Sequence, residues 1–185
     1  MGVLGAFDTI GMTLAANNDE ITGRTTLQKL IYFETVTIPE INLAEPYTAY
    51  FYGPFNRDVA NSLECMVFYD ILDERRIGIN HGSYVYKVTP KGSEIIHGLE
   101  DKAKKVFAEI KDLVSTCDKY CKLNSNSLSF AAKVHYMLGS QRTAKKPLTE
   151  KELVRTGESF GWKLSKSEIR NGSELLEHLG LVKIQ

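Results

Sequence analysis

Residues 77–90 have the sequence IGINHGSYVYKVTP, and this stretch decides the fold that the sequence predicts. The dipeptide His-Gly at 81–82 is a turn sequence between two candidate β-arms, Ile77–Asn80 and Ser83–Val88. The second arm alternates its apolar and polar residues, as a half-buried strand does. Thr89-Pro90 then predicts a helix start, because proline fits the first helical position. The stretch therefore predicts a β-hairpin followed by a helix.

Three helical patterns precede this hairpin. In the first, apolar residues recur at helical spacing over Leu4–Leu14, and the polar residues Asn17–Glu20 end the pattern. The second covers Leu27–Phe33; Thr25 or Thr26 can cap it, and it fades before Pro39. The third covers Val59–Ile71 and is capped by Asn56. Between the second and third patterns, the aromatic stretch Tyr47–Tyr52 favours a short strand or extended segment. Three helices followed by a two-stranded hairpin is the order of a winged helix-turn-helix domain, which we expect over residues 1–96.

The second half of the chain carries further helical patterns. An apolar stripe from Leu99 to Cys121 predicts a long connecting helix over residues 97–122, which either joins the two halves or pairs with its copy in a dimer. Residues 123–185 predict a second helix-turn-helix unit. Its signals are a helix through Leu128–Leu138, a basic loop Arg142–Pro147, two capping boxes (Thr149 with Glu152, Ser165 with Glu168), and a strand-like end Leu181–Ile184. The predicted fold class is mainly α with a small β-hairpin.

Composition and charge exclude several protein classes. No apolar run is long enough to span a membrane, no signal peptide is apparent, and three cysteines do not make a disulfide framework, so we expect a cytoplasmic protein. The net charge is zero, but residues 1–100 hold 7 basic against 13 acidic residues and residues 101–185 hold 16 against 10. Halves at −6 and +6 suggest an anionic partner for the second half, head-to-tail self-association, or merely two unequal solvated surfaces.

Basic residues near the last helix make it the best candidate for binding double-stranded DNA. The candidate contact residues are Lys145, Lys146, Lys163, Lys166, Arg170 and Asn171, with Lys133, Arg142, Lys151 and Arg155 as a flanking patch. Against this interpretation, Glu168, Glu174 and Glu177 share that helix. The N-terminal unit is a poorer candidate, because acidic residues accompany Arg57 on its third helix and would repel phosphates.

The aromatic stretch at 47–52 has two interpretations. Most of Tyr47, Tyr50, Phe51 and Tyr52 is expected in the core. Any exposed member would be a good anchor for a protein partner, because tyrosine buries a large area at low entropic cost. Tyr50, Tyr52 and Arg57 are therefore the candidate partner-binding residues.

Residues with catalytic or metal-binding chemistry are sparse. Cys117 and Cys121 lie one helical turn apart, but no second pair of cysteines or histidines has ligand spacing, so both are expected to be core residues. Cys65 adjoins the apolar stripe of the third helix and is expected to be buried and inert. We expect no enzyme activity, no metal site and no cofactor.

Three blocks of the first half resemble a known family. They are Gly23–Phe33 (GRTTLQKLIYF), Tyr50–Phe55 (YFYGPF) and Tyr86–Gly92 (YKVTPKG). In their order they resemble the prokaryotic Panacea-type antitoxins (SocA-like proteins) and their YwgA-like relatives, over roughly residues 1–100. The resemblance implies a mostly helical, winged-helix-like protein that binds other macromolecules, and in the antitoxin branch one that neutralises a toxin or delivers it to a protease. It brings no catalytic residues.

Together these features predict a prokaryotic regulatory protein of winged helix-turn-helix type that binds DNA, as a homodimer. The alternative is a non-enzymatic protein-interaction module of antitoxin or adaptor kind.

Overall fold

The computed structural model of the chain describes residues 3–78, 82–140 and 149–182. It is mainly α-helical with a small antiparallel sheet, as the sequence predicts. In chain order the elements are α1 (Ala6–Ala16), β1 (Glu20–Thr22), α2 (Arg24–Thr37), β2 (Thr48–Tyr50), β3 (Gly53–Phe55), α3 (Arg57–Phe68), β4 (Leu72–Ile77), β5 (Ser83–Val88), α4 (Pro90–Lys102), α5 (Lys104–Cys121), α6 (Ser125–Ser140), α7 (Glu150–Ser159) and α8 (Lys166–His178). Among the described helices, none has the length and apolar character needed to cross a lipid bilayer.

The main sheet contains the predicted hairpin and one further strand. Strands β4 and β5 pair antiparallel, and β1 pairs along the other edge of β5, with Ile21 opposite Tyr86. The first arm begins earlier than the expected Ile77–Asn80, because the strand runs from Leu72 to Ile77; Ile79 and Asn80 of the expected arm lie outside the described residues. Helix α3 stops at Phe68, and Asp70 takes a left-handed conformation (φ 57°) that turns the chain, so Ile71 leads into the strand instead of extending the helix.

Capping residues that the sequence predicts begin α3, α7 and α8. The Asn56 side chain accepts a hydrogen bond from the Val59 amide, and both expected capping boxes, before α7 and α8, are present. The start of α2 differs from the prediction, because Gly23, and not Thr25 or Thr26, is its N-cap. Strand β1 ends at Thr22, and the chain enters the helix through φ 100°, a conformation that glycine adopts without strain.

The connecting helix is broken, which corrects the prediction of one helix over residues 97–122. Helix α4 ends at Lys102, and α5 begins after Ala103, whose φ of −130° and ψ of 41° are not helical. The two helices bury different faces: Ile96 of α4 packs beside Gly11, whereas α5 buries Val106 and Ile110 in a cluster with Met12. The break lets each helix turn its own apolar face toward α1.

The two halves of the chain share one hydrophobic core. Its buried members extend from Ile10 in α1 to Leu176 in α8, and α6 packs between α2 and α8. Helices α6 and α8 approach closely, since a Cβ on Gly172 would lie 2.8 Å from the Phe130 carbonyl carbon. The division into units at residues 96 and 122 stays a prediction. Of the expected strand-like end, Leu181 and Val182 pack on the core outside any strand, and the rest lies outside the described residues.

Candidate functional site

Two buried polar side chains of α2, Gln28 and Lys29, bond to the backbone of the short β2–β3 hairpin and of the residue that follows it. Gln28 and Asn56 exchange two hydrogen bonds: the Gln28 amide donates to the Asn56 carbonyl (2.9 Å) and accepts from the Asn56 amide (3.1 Å). The Lys29 Nζ donates to the Pro54 carbonyl at 2.7 Å. Both side chains are buried in the middle of the apolar stretch of α2, where an unpaired polar group is costly. Their role in the structure is therefore to fix the hairpin backbone.

A second lysine, Lys133 of α6, lies beside Lys29. Burial and repulsion from Lys133 lower the pKa of Lys29 to about 7, and burial also lowers the pKa of Lys133. The hairpin backbone passes between them at Gly53 (φ 97°), where an added Cβ would lie 3.1 Å from Lys133 Cγ and 3.4 Å from Lys29 Cε. This position requires glycine for both its conformation and its space. Lys133 is consequently not the surface cation of a flanking DNA patch that the sequence suggested.

The C-terminal half of the chain anchors the same hairpin from the other side. The Trp162 Nε1 donates to the Tyr50 carbonyl at 2.7 Å, and the Ser129 hydroxyl donates to the Tyr52 carbonyl. Trp162 is itself buried, stacked on Phe160 with ring centroids 5.1 Å apart. The backbone of the turn is thus fixed by side chains from both halves of the protein.

Three consecutive aromatic side chains project from this fixed turn. Tyr50, Phe51 and Tyr52 are 55%, 75% and 62% exposed, and we call them the aromatic tip. The Tyr50 ring meets the Phe51 ring edge-on at 5.0 Å. The expectation that most of this stretch belongs to the core is wrong, since only Tyr47 of the four aromatic residues packs against it. Arg57, the third predicted partner-binding residue, is exposed at the first position of α3, just after the hairpin.

Contacts of α2 also join the three sequence blocks. The Arg24 guanidinium donates to the Tyr86 hydroxyl, pairs with Glu74 at 2.9 Å, and lies 4.5 Å from the centre of the Tyr84 ring. From the first block, Arg24 contacts Tyr86 of the third block and Lys29 contacts Pro54 of the second, while Gln28 bonds to Asn56, the residue that follows the second block. Polar contacts of one helix therefore connect the three blocks.

A carboxylic acid is buried on the same helix. Glu34 has no exposed surface, and burial raises its pKa to about 8, although hydrogen bonding to Thr13 opposes this. The Thr13 hydroxyl lies 2.7 Å from the Thr9 carbonyl and 2.9 Å from a Glu34 oxygen. A hydroxyl has one hydrogen, so a protonated Glu34 that donates to Thr13 satisfies all three groups.

The structure describes four of the six predicted DNA-contact residues, Lys163, Lys166, Arg170 and Asn171. Arg170 forms two hydrogen bonds with Glu150 of α7, at 2.6 and 3.2 Å, so its guanidinium is already paired. Lys163 and Lys166 are exposed, and Asn171 faces a cavity beside Cys121 and His178. Lys145, Lys146 and Arg142 lie outside the described residues. Over residues 149–182 there are six acidic and five basic side chains, which gives this part of the unit no positive excess.

The three thiols differ in exposure. Cys117 is buried as expected, and burial raises its pKa far above the usual range; Cys121 donates to the Cys117 carbonyl, and burial raises its pKa as well. Raised pKa values disfavour the thiolate that nucleophilic chemistry needs. The expectation of a buried Cys65 is wrong, because it lies on the solvent face of α3. Within the described residues, no group of three or more histidine, cysteine or acidic side chains is arranged to hold a metal ion.

Comparison of the chain with family models and with curated proteins gave no match. Its function has to be inferred from its own geometry.

Proposed function

We propose that this chain is a non-enzymatic protein-interaction module, of antitoxin or adaptor kind, and that the aromatic tip is its contact surface. The observation that carries the proposal is the exposure of Tyr50, Phe51 and Tyr52 on a turn whose backbone is fixed by buried donors. Folding alone gives no reason to leave three adjacent rings in water, and apolar patches of this kind mark binding sites.

The anchoring of the turn favours tight binding. A contact surface that is already ordered loses little conformational entropy when a partner arrives. Lys29, Ser129 and Trp162 bond to the backbone of the turn and of β3, and leave the exposed rings free. Aromatic side chains with fixed backbones are the usual hot spots of protein interfaces.

The arrangement of elements supports a winged-helix interpretation of the first half. Helices α1–α3 followed by the β4–β5 hairpin have the element order of that fold, and α7 and α8 have the order of a helix-turn-helix. The resemblance to Panacea-type antitoxins, which implies binding to other macromolecules, agrees with the proposed role of the tip.

Binding of double-stranded DNA is the second candidate, and two exposed lysines favour it. Lys163 and Lys166 lie in the turn before α8 and at its first position, where lysines can reach phosphates. Titration of a fluorescent duplex at low salt tests this function. Binding that weakens steeply with added salt and with Lys163→Gln/Lys166→Gln supports it, and the absence of binding at low salt rejects it.

Capture from the native host tests the protein-interaction function. We expect the wild-type chain to retain a stoichiometric partner, and the triple variant Tyr50→Ser/Phe51→Ser/Tyr52→Ser to lose it, because the apolar anchors are gone. A matched control is Phe68→Ser, which removes an aromatic ring of similar exposure from another surface. The captured partner, once purified, should bind the control variant as tightly as wild type.

If the purified partner binds wild type and the triple variant equally well, the contact lies elsewhere, and the aromatic tip is rejected as the contact surface. Circular dichroism of the triple variant tests whether the variant is correctly folded. Its thermal transition should match that of wild type, since all three side chains are exposed.

A further inference from the structure

One buried lysine of α6 has an amine that the described residues leave unbonded. Lys133 is 9% exposed, and within the described part of the chain its amine takes part in no hydrogen bond and no ion pair. The amine nitrogen lies 5.6 Å from the centre of the Trp162 ring. The neighbouring Lys29 differs, because its amine donates to the Pro54 carbonyl. The structure therefore places a second, unpaired cation beside one that is already bonded.

The carboxylate that acts electrostatically on Lys133 is engaged elsewhere. Glu168, in the first turn of α8, opposes the lowering of the Lys133 pKa, but burial outweighs it. One Glu168 oxygen accepts hydrogen bonds from the Ser165 amide and from the Ser165 hydroxyl, at 2.7 Å each, and so caps the helix. The ammonium of Lys133 is therefore less well stabilised than it would be in water. A further carboxylate beside it would reverse that loss.

The Lys133 amine remains open to a ligand although its stem is buried. Among the described residues, it is not one of the side-chain nitrogens that lack both solvent contact and a hydrogen-bond partner. The stem packs against the hairpin, with Cγ 3.1 Å from the position of a Cβ on Gly53. Lysine often buries its stem in this way and keeps its amine at the surface. A ligand can thus reach the amine without displacing the core.

The amine lies beside the backbone of the aromatic tip. Ser129, one helical turn before Lys133, donates to the Tyr52 carbonyl. Trp162, whose ring lies next to the amine, donates to the Tyr50 carbonyl at 2.7 Å. The residues that anchor both ends of the tip are therefore direct neighbours of Lys133. A partner that covers the tip and extends along its edge meets this amine.

We infer that Lys133 forms a carboxylate-binding subsite beside the aromatic tip, and that its ligand is a peptide with a carboxylate next to apolar side chains. The assignment of that peptide to a protein partner rests on the proposed function, whereas the subsite itself does not. The carboxylate accepts a charge-assisted hydrogen bond from the ammonium while its apolar neighbours cover the exposed rings. It belongs either to an acidic side chain or to the end of a chain, and both sources have the same chemistry.

Fluorescence of Trp162 tests the subsite without the partner. This residue is the only tryptophan of the chain, and a carboxylate bound at the neighbouring amine should change its emission. The probes are acetyl-leucyl-glutamyl-leucine amide, with the acid in a side chain; acetyl-leucyl-leucine, with the acid at the chain end; and acetyl-leucyl-glutaminyl-leucine amide, which is neutral. We expect saturable binding of at least one acid, roughly tenfold tighter than binding of the neutral peptide. The acid that binds more tightly identifies the source of the carboxylate.

Two lysine variants separate the subsite from general effects of charge. Lys133→Met keeps an unbranched stem against Gly53 and should abolish the preference for acids. Lys163→Gln removes an exposed lysine charge next to Trp162 and is the matched control, so it should keep the preference. An equal loss from both changes overturns the inference.

The comparison of acid and neutral probes uses the wild-type chain, so it decides the question even if Lys133→Met does not fold. Equal binding of acid and neutral peptides to wild type overturns the inference. Inorganic phosphate that changes the emission as strongly as the acids overturns the assignment to a carboxylate.

Failure of this inference can be distinguished from failure of the proposed function. If a captured partner needs the aromatic tip but neither acid binds, the subsite is wrong and the proposed function stands. If an acid binds at Lys133 and no partner is captured, the subsite stands and the protein-interaction function is the part that fails.

Discussion

Two residues of α2 with shifted pKa values, Glu34 and Lys29, make the stability of this protein depend on pH. Glu34 and Lys29 are both buried on the helix that supports the hairpin, and burial favours the neutral form of each. Their effects on stability have opposite signs. Between the ordinary pKa of 4.5 and its raised value of about 8, Glu34 releases its proton on unfolding, so its contribution to stability falls as the pH rises. Between about 7 and 10.5, Lys29 gains a proton on unfolding, so stability rises with pH.

Replacement of Glu34 by glutamine should flatten the dependence of the free energy of unfolding on pH between about 4.5 and 8. Glu34→Gln keeps the size of the side chain and removes the charge that must be suppressed. We expect the variant to exceed wild type in free energy of unfolding by on the order of a few kcal/mol at pH 8, and this difference should disappear toward pH 4.5. Urea unfolding across that pH range measures it. Glu94→Gln, on the exposed face of α4, is the matched control and should keep the wild-type slope. A Glu34→Gln profile parallel to that of wild type would show that Glu34 does not carry this dependence.

Replacement of Lys29 by methionine should be most damaging at alkaline pH. Lys29→Met leaves the buried Pro54 carbonyl without its donor, which costs about 1–3 kcal/mol at any pH. It also abolishes the rise in stability that wild type gains above pH 7, so the difference between the two proteins should grow toward pH 10. Thermal denaturation of both proteins at pH 6 and at pH 10 measures this difference in stability. A larger loss at pH 6 than at pH 10 would contradict the assigned sign.

At the scale of elements, the β2–β3 hairpin depends on partners that are distant in sequence. Its two strands have three residues each, too short for a stable hairpin by themselves. Contacts with α2, α6 and the segment before α8 compensate for this. The hairpin should therefore become mobile when one anchor is removed, even though the helices remain intact.

Trp162→Phe should loosen the hairpin without unfolding the protein. The change removes the donor to the Tyr50 carbonyl and keeps most of the aromatic packing, at a cost of ~1 kcal/mol. Amide hydrogen exchange should accelerate over residues 48–55 and stay unchanged in α3. Phe160→Leu, which alters the neighbouring ring without touching the hairpin bond, is the control. Equal exchange rates in wild type and Trp162→Phe would show that this bond does not hold the turn.

At the scale of the whole molecule, local signals predicted the helices well and the long-range contacts poorly. Asn56, Thr149 and Ser165 were correctly identified as caps, because a cap depends on residues within one turn. Strand β1 was missed, since its three residues become a strand only by pairing with β5 far along the chain. The break at Ala103 was missed because the apolar stripe continues through it, although the two parts pack on different residues.

The candidate site was only partly predictable for the same physical reason. Tyr50, Tyr52 and Arg57 could be named from composition and position, and all three are exposed. The exposure of the two tyrosines was not predictable, because it depends on anchors such as Lys29 and Trp162 that bond to backbone carbonyls and leave no pairwise sequence pattern. A lysine inside the apolar run of α2 was the one available signal of a buried polar contact.

The most direct test of the central claim is a hydrogen-exchange footprint of the chain alone and bound to its captured, purified partner. Our account predicts that protection on binding is strongest over residues 48–55, which carry the aromatic tip. Strong protection over residues 163–171 with no change at 48–55 would contradict it, and would move the contact surface to α8.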